Sequence, residues 1–248
     1  MKKITTILYW VNLNEVINLI NSYIEEYKAF STHKFPYSCL NFDNLYTNET
    51  LQSLFKSIEI IDVFSNSTAT LDSWVILKLN ELKNQLLISL YYLPHYSSFL
   101  FASLQRSISE LILKITLYSS SDTPKTEENQ LKINKMQFRI MKDNIKAIPE
   151  YNSQLFKIQL DNFFSLYGNS SNNIHLKEAT SVIECIEAYN AITQSDIKQV
   201  KGLAIKVETY LLSFFPKLHN LNDTQLNMSA KIQLKNILSK PTYIKYFN

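Results

Sequence analysis

The residues in this chain whose types and spacing suit chemistry gather in one stretch, Leu166 to Leu176, reading LYGNSSNNIHL. In a helix, steps of four stack Tyr167, Ser171 and His175 along one stripe, with Asn172 three residues before the histidine beside them. An imidazole that titrates near neutrality then stands next to a hydroxyl and an amide. The plainer reading of a lone histidine at the start of an apolar helix is a hydrogen-bonded structural residue. The polar company on its face argues for more.

A second pair is Arg106 and Glu110, four apart in FLFASLQRSISELILKITLY. They share the stripe that holds Ser103, while Leu104, Ile108, Leu111, Ile112 and Ile115 cover the opposite side. One reading is a surface ion pair worth a few tenths of a kcal/mol. The other is an arginine held at a groove by apolar helix faces, where its planar fork can grip a phosphate. Arg106 and Arg139 are the only arginines; the other basic residues are lysines. Lys132, Lys135, Lys142 and Lys146 fall on one expected helical stretch, as a solvated face or as a patch turned toward RNA.

Other chemistry finds little footing. His33, His95 and His219 lack acidic or cysteine neighbours at ligand spacing, and Cys39 and Cys185 form no CxxC, so neither a metal site nor a disulfide framework is expected. No GxSxG, HExxH or P-loop pattern occurs, and no cofactor is implied. The net charge of +3 permits a nucleic-acid partner without demanding one.

The elements that must position these residues are helical. With 46% hydrophobic side chains the 248 residues can bury a sizeable core, and only two glycines leave few devices for the tight turns of a many-stranded sheet. The expectation is an all-α helical bundle with an additional N-terminal helical region. Residues 1–68 are read as that appendage and 69–248 as the bundle, unless the two form one domain.

Residues 4–12 read equally as a strand or as the start of a helix that ends near Phe30. Asn48 suits the N-cap of a helix to about Val63, closed by SNSTAT. Helices follow from Leu71 to Leu93 and, after Pro94, from Tyr96 to Tyr118. The apolar window Gln85–Leu104 reads as a buried hairpin rather than a membrane span, because Pro94, His95 and several serines interrupt it. Another helix is expected from Pro124 and the glutamate pair to about Asn144, and after Pro149 one that carries Phe163 and Phe164 into LYGNSSNNIH. Gly168 and Asn169 are candidate interruptions there, with Asn169 or Ser170 as a fresh cap. Further helices are read from His175 to Thr193, from Ser195 to Phe215 before Pro216, and over 222–239, leaving SKPTYIKYFN as a tail. The opening MKKITTILYWVNLN is broken by Thr5, Thr6 and Asn12 and reads as no signal peptide, which suggests a cytoplasmic protein with no membrane partner.

The helix LQRSISELILKITLY paired with the later LYGNSSNNIH resembles the HEPN superfamily, particularly its abortive-infection and phage-defence branches. There an R-x-x-x-E helix with an apolar run ending in tyrosine precedes a Y-x-x-x-S-x-x-(V/I)-H segment, and the likeness spans roughly residues 70–215. The resemblance implies a helical bundle that dimerises and, in active members, a metal-independent ribonuclease using an R-x(4–6)-H motif. His175 matches the motif histidine. Where the arginine belongs, this chain has Gly168, Asn169 and Ser170. Asn169 then takes the polar position, while Arg106 and Glu110 stand in for the arginine and the acidic residue from the other helix.

His175, Arg106 and Glu110 are therefore the catalytic candidates, and Tyr167, Asn169, Ser171 and Asn172 the substrate-binding ones. Together with the resemblance they lead to the expectation of an RNA-cleaving defence or toxin protein, working as a homodimer or in a hetero-complex with another defence protein. The alternative is a catalytically silent helical module that binds a protein partner as sensor, antitoxin or assembly subunit.

Overall fold

A computed structural model describes residues 4–38, 40–67, 71–174 and 194–247, with side chains from residue 19 on and, in the third stretch, as far as residue 170. Every regular element among them is helical, and the fold is an all-α bundle. No helix among the described residues is long and apolar enough to cross a membrane. Cys39, His175 and the helix expected to reach Thr193 lie outside the described residues.

Helix α1 spans Ile4–Lys34, so the opening run that reads as strand or helix is helical. Helix α2 spans Leu45–Ser67, longer at both ends than expected. Its start is set by Asn44 rather than Asn48: the Asn44 Oδ1 accepts the Tyr46 N–H at 2.8 Å, while the Asn48 amide turns back to the Phe42 carbonyl at 3.0 Å.

Helix α3, Ser73–Tyr92, begins where Asp72 caps the Trp74 N–H. It buries Val75, Leu79, Leu82, Leu86 and Leu90, a spacing of three and four that puts them on one face. Pro94 sits in a single 3-10 turn, Leu93–His95, after which Ser97 caps α4, Ser98–Ser119. From Ile108 onward α4 is buried on nearly every side, which makes it the central helix. The hydroxyls it carries inward are satisfied locally: Ser109 and Thr116 donate to the carbonyls of Gln105 and Ile112, each at 2.8 Å.

The single helix expected up to Asn144 is two, α5 (Glu127–Asn134, capped by Thr126) and α6 (Phe138–Ala147). The apolar phase explains the break. Ile133 and Ile145 are both buried, yet on a straight helix they would point about 120° apart. Breaking the helix at Lys135–Gln137 lets both reach the core. It also divides the lysine row, leaving Lys132 on α5 and Lys142 and Lys146 on α6.

After a 3-10 turn at Pro149–Asn152, α7 runs Gln154–Ile174. Gly168 does not interrupt it, and neither Asn169 nor Ser170 is a cap. A glycine costs a helix about 1 kcal/mol relative to alanine, too little to break one packed along its length.

Helix α8, Gln194–Thr209, does not stop before Pro216 either. It passes through one π-helical turn, Tyr210–Phe214, into Phe215–Leu218. A proline lacks the N–H for a bond to the carbonyl four residues back, and its ring crowds that carbonyl. Widening the turn, with the Phe215 N–H bonded to the Tyr210 carbonyl, accommodates it. Two short helices close the chain, α9 (Met228–Ile237) and α10 (Lys240–Phe247), so the expected 222–239 helix is shorter and the tail is helical.

Phe64, Tyr118, Phe163, Tyr210, Phe215 and Phe247 are fully buried and form the aromatic centre. Phe64 stacks on Phe215 with ring centres 5.2 Å apart, and the Tyr210 and Thr116 hydroxyls share a hydrogen bond of 3.2 Å. Ile20, Ile24 and Tyr27 of α1 and Leu51 and Leu54 of α2 belong to the same core. The Tyr27 hydroxyl donates to the Leu90 carbonyl at 2.7 Å, tying α1 to the end of α3.

Candidate functional site

The packing of α4 against α7 brings the two sequence patterns together. Leu104, Ile108 and Leu111 of α4 and Leu160, Phe163, Phe164 and Tyr167 of α7 are all buried. Between them the Gln105 Nε2 donates to the Leu166 carbonyl at 3.4 Å, an oxygen that also accepts the Ser170 hydroxyl at 2.6 Å.

One step along α4, the Arg106 guanidinium lies over the Tyr167 ring, its Cζ 4.7 Å from the ring centre. Phe138, the first residue of α6, is stacked flat against the same ring at 3.6 Å with 4° between planes. With one face of Tyr167 covered by Phe138, the guanidinium takes the other. Three helices thus build a layer of arginine, tyrosine and phenylalanine. Phe164 meets Phe138 edge-on at 6.3 Å, and the Lys142 ammonium stands 5.5 Å from the Phe164 ring.

Glu110 does not pair with Arg106. It turns the other way along α4 and binds Lys114 at 2.7 Å, and Lys114 also donates to the Asn134 carbonyl at the end of α5. The reason is direction: a glutamate is better placed to meet a lysine four residues ahead than an arginine four behind. Among the described residues no carboxylate pairs with Arg106. The half-buried guanidinium is fixed on an aromatic face, and an arginine so placed presents planar donors of the geometry that suits a phosphate.

On α7, Tyr167 is the one residue of the expected stripe whose side chain is described, and it is the one that Arg106 meets. Asn169, two residues on and so about 200° around the helix, is exposed on another face. Ser170 is buried, with its hydroxyl bonded within its own helix. Ser171 and Asn172 are helical in backbone, but their side chains lie outside the described residues, as does all of His175.

Sequence reasoning missed Phe138, and also Lys114 as the partner of Glu110. The signal for Phe138 was present in FRIMKDNIKA, an aromatic residue opening a short helix with Met141 and Ile145 buried and Arg139, Lys142 and Lys146 on another side. Arg139 and Lys146 are exposed beside the aromatic layer, and Lys142 is half-buried.

The other concentration of polar groups, at the far end of α4, is spent on structure. The Lys125 ammonium caps the helix by donating to the carbonyls of Tyr118 and Ser120. The Tyr118 hydroxyl donates to Asp72 at 3.2 Å and accepts from Gln130 at 3.0 Å. Glu150 accepts from the Ser120 hydroxyl at 2.8 Å, and hydrogen bonds there hold its carboxyl below the usual range against its partial burial. His219 lies here too, its ring 4.3 Å from that of Phe215 and its Nε2 buried without a partner. Burial, with the Lys125 charge adding to it and Asp72 opposing, pulls its pKa down to about 4. It is a neutral side chain at pH 7.

Among the described residues no three His, Cys, Asp or Glu side chains gather to hold a metal ion. No family model, no curated protein and no solved structure matches this chain.

Proposed function

We propose that this chain is a cytoplasmic, HEPN-like protein of a bacterial defence or toxin system that cleaves RNA without a metal ion, as a dimer or within a complex. The observation that carries the reading is the seating of Arg106 on Tyr167, which joins helices whose sequence patterns are far apart in the chain. The 2′-OH beside the scissile bond attacks phosphorus and gives up its proton to His175. The leaving 5′-oxygen takes a proton from a second acid, the histidine of another copy or a partner's group. Arg106 holds the phosphate as its negative charge grows. Arg139 and Lys146 are exposed cations on α6, the helix whose first residue stacks on the Tyr167 ring, and such cations suit the backbone of a single strand.

The test is expression of wild type, His175→Ala and Arg106→Ala, followed by incubation of each purified protein with RNA in chelator. The reading expects growth arrest by the wild type alone and chelator-resistant cleavage that leaves 2′,3′-cyclic phosphate ends. Cleavage that needs metal, or that survives His175→Ala, overturns it.

The absence of a cation at 168–170, where Ser170 is turned to its own backbone, favours a second reading as a silent module binding a protein partner. A harmless wild type whose His175→Ala form retains its partner selects that one.

A further inference from the structure

The apolar window Gln85–Leu104 reads from the sequence as a buried hairpin, and the structure buries only one side of its first half. Leu86, Leu90 and Leu93 face the core, while Leu87, Ile88, Tyr91 and Tyr92 on the last turns of α3 are 39 to 53% exposed. The end of α1 and the turn after it extend this surface. Phe30 is exposed and meets Phe35 edge-on at 5.9 Å, and Phe35 stands edge-on to Tyr91 at 5.7 Å and to the exposed His95 at 4.3 Å. One end of the bundle is thus a continuous aromatic face.

Its most exposed member is Tyr37, at 93%. The turn that carries it is pinned on both sides. The Phe35 ring packs on Tyr91 and His95, the Ser38 N–H donates to the Phe35 carbonyl at 2.9 Å, and the Ser38 hydroxyl donates to the Pro94 carbonyl at 2.8 Å. A ring held out on a fixed turn pays little ordering entropy when an outside phase covers it. Phe30, Tyr37, Leu87, Ile88, Tyr91 and Tyr92, about half exposed at about 200 Å² each, present about 600 Å², the upper end of the largest patch on a typical monomer.

Charge selects what covers this end. Residues 27–42 and 84–105, which build it, contain no Asp or Glu; their ionisable groups are Lys28, Lys34, His33 and His95, besides the tyrosines and Cys39. His33 and Lys34 are exposed and follow Phe30 by three and four residues, which puts them on its face of α1. The charged residues of α3 lie behind and are paired, Lys78 with Glu81 at 2.7 Å and Lys83 with Asp62 of α2 at 2.6 Å, and Tyr91 stands about 12 Å further along the helix than Lys83. Glu26 of α1, one turn before Phe30, accepts the Ser22 hydroxyl at 3.3 Å. The face therefore combines rings that are apolar in body and polar at the tip with lysines, the make-up that sits at headgroup depth in a bilayer. A nucleic-acid strand asks for a row of cations and for rings on which bases stack, which two lysines and the aliphatic Leu87 and Ile88 do not supply. A second copy would bring like charge to like.

We propose that this end of the bundle docks on the surface of a bilayer that contains anionic lipid, with Tyr37, Tyr91 and Phe30 among the headgroups and Lys34 on their phosphates. The protein lies on the membrane, and none of its described helices crosses it. The assignment stands on this face alone and is independent of the RNA reading.

The experiment floats the purified full chain with vesicles of phosphatidylcholine mixed with phosphatidylserine and with vesicles of phosphatidylcholine alone, for wild type, Tyr37→Ser/Tyr91→Ser, Lys34→Glu and, as control, Leu155→Ser. Leu155 is 66% exposed at the start of α7, near Glu150, which binds the other end of α4. The expected result is flotation of wild type and Leu155→Ser with the phosphatidylserine vesicles. Affinity should fall about tenfold for each of the other two variants, with unchanged helical circular dichroism. Lys34→Glu, a change at an exposed position, serves as the readout should the double variant not fold. A wild type that stays in the soluble fraction overturns the proposal, as do variants that float as it does. Loss of single-strand RNA binding or of doubled mass in Tyr37→Ser/Tyr91→Ser, without any vesicle binding by the wild type, overturns it in favour of RNA or of a second copy.

Discussion

Acidification should destabilise this protein through one imidazole, and the size of the effect can be worked out. His219 is neutral in the fold because its ring is packed on Phe215 with Nε2 unpartnered and the Lys125 ammonium nearby. Its pKa falls from 6.5 when exposed to about 4 in the fold. A base whose pKa is depressed by folding binds its proton more readily when unfolded. Its contribution is therefore complete above pH 6.5 and is lost as the pH drops toward 4. At 1.36 kcal/mol per pKa unit, about 2 kcal/mol disappears between pH 7 and pH 5, and about 3 by pH 4. Urea unfolding followed by circular dichroism at pH 7 and pH 5 measures this, with His219→Gln as the comparison. Other acid-sensitive groups, such as Asp223, whose carboxyl is held low by Tyr243 and Lys231, act equally in both proteins and cancel. The variant should lose about 2 kcal/mol less than the wild type over that interval. Equal losses in the two would refute the account of His219 as a buried neutral base.

Arg106→Ala should flatten the salt dependence of RNA affinity by about 0.7 in log–log slope, the share of one single-strand phosphate contact, as measured by fluorescence anisotropy in a salt titration. Asp72→Ala removes both the cap of α3 and the acceptor of the Tyr118 hydroxyl, and should cost about 2 kcal/mol in a denaturant melt. Leu79→Ala, at a fully buried position, should cost about 2 to 5 kcal/mol, whereas Leu131→Ala, 59% exposed, should stay within about 0.5 kcal/mol in the same measurement.

How much of this was legible in the chain varies by element. Helices α3 and α4 were read to within about two residues because an apolar helical period and an intervening Pro94 both act within a few positions. The break between α5 and α6 was not legible. It answers to where the core lies on two sides of a segment that by local preference would run straight. Pro216 misled for a related reason, since the usual cost of a helical proline is avoided by a π turn that the packed aromatics of α8 hold in place. At the candidate site, Arg106 and Tyr167 could be picked out by type, and Phe138 could be seen as an aromatic residue opening FRIMKDNIKA, but its stacking on Tyr167 could not, because that depends on where α6 comes to rest against α7.

The amino-acid order by itself determined that this protein is helical, since period, capping and the scarcity of glycine are local properties. Only the tertiary structure decided which helices meet, that Glu110 serves Lys114, and that Gln105 reaches Leu166 across 61 residues of chain. Such contacts are selected by interlocking side-chain shapes in a close-packed interior, and no short-range rule of the sequence encodes them.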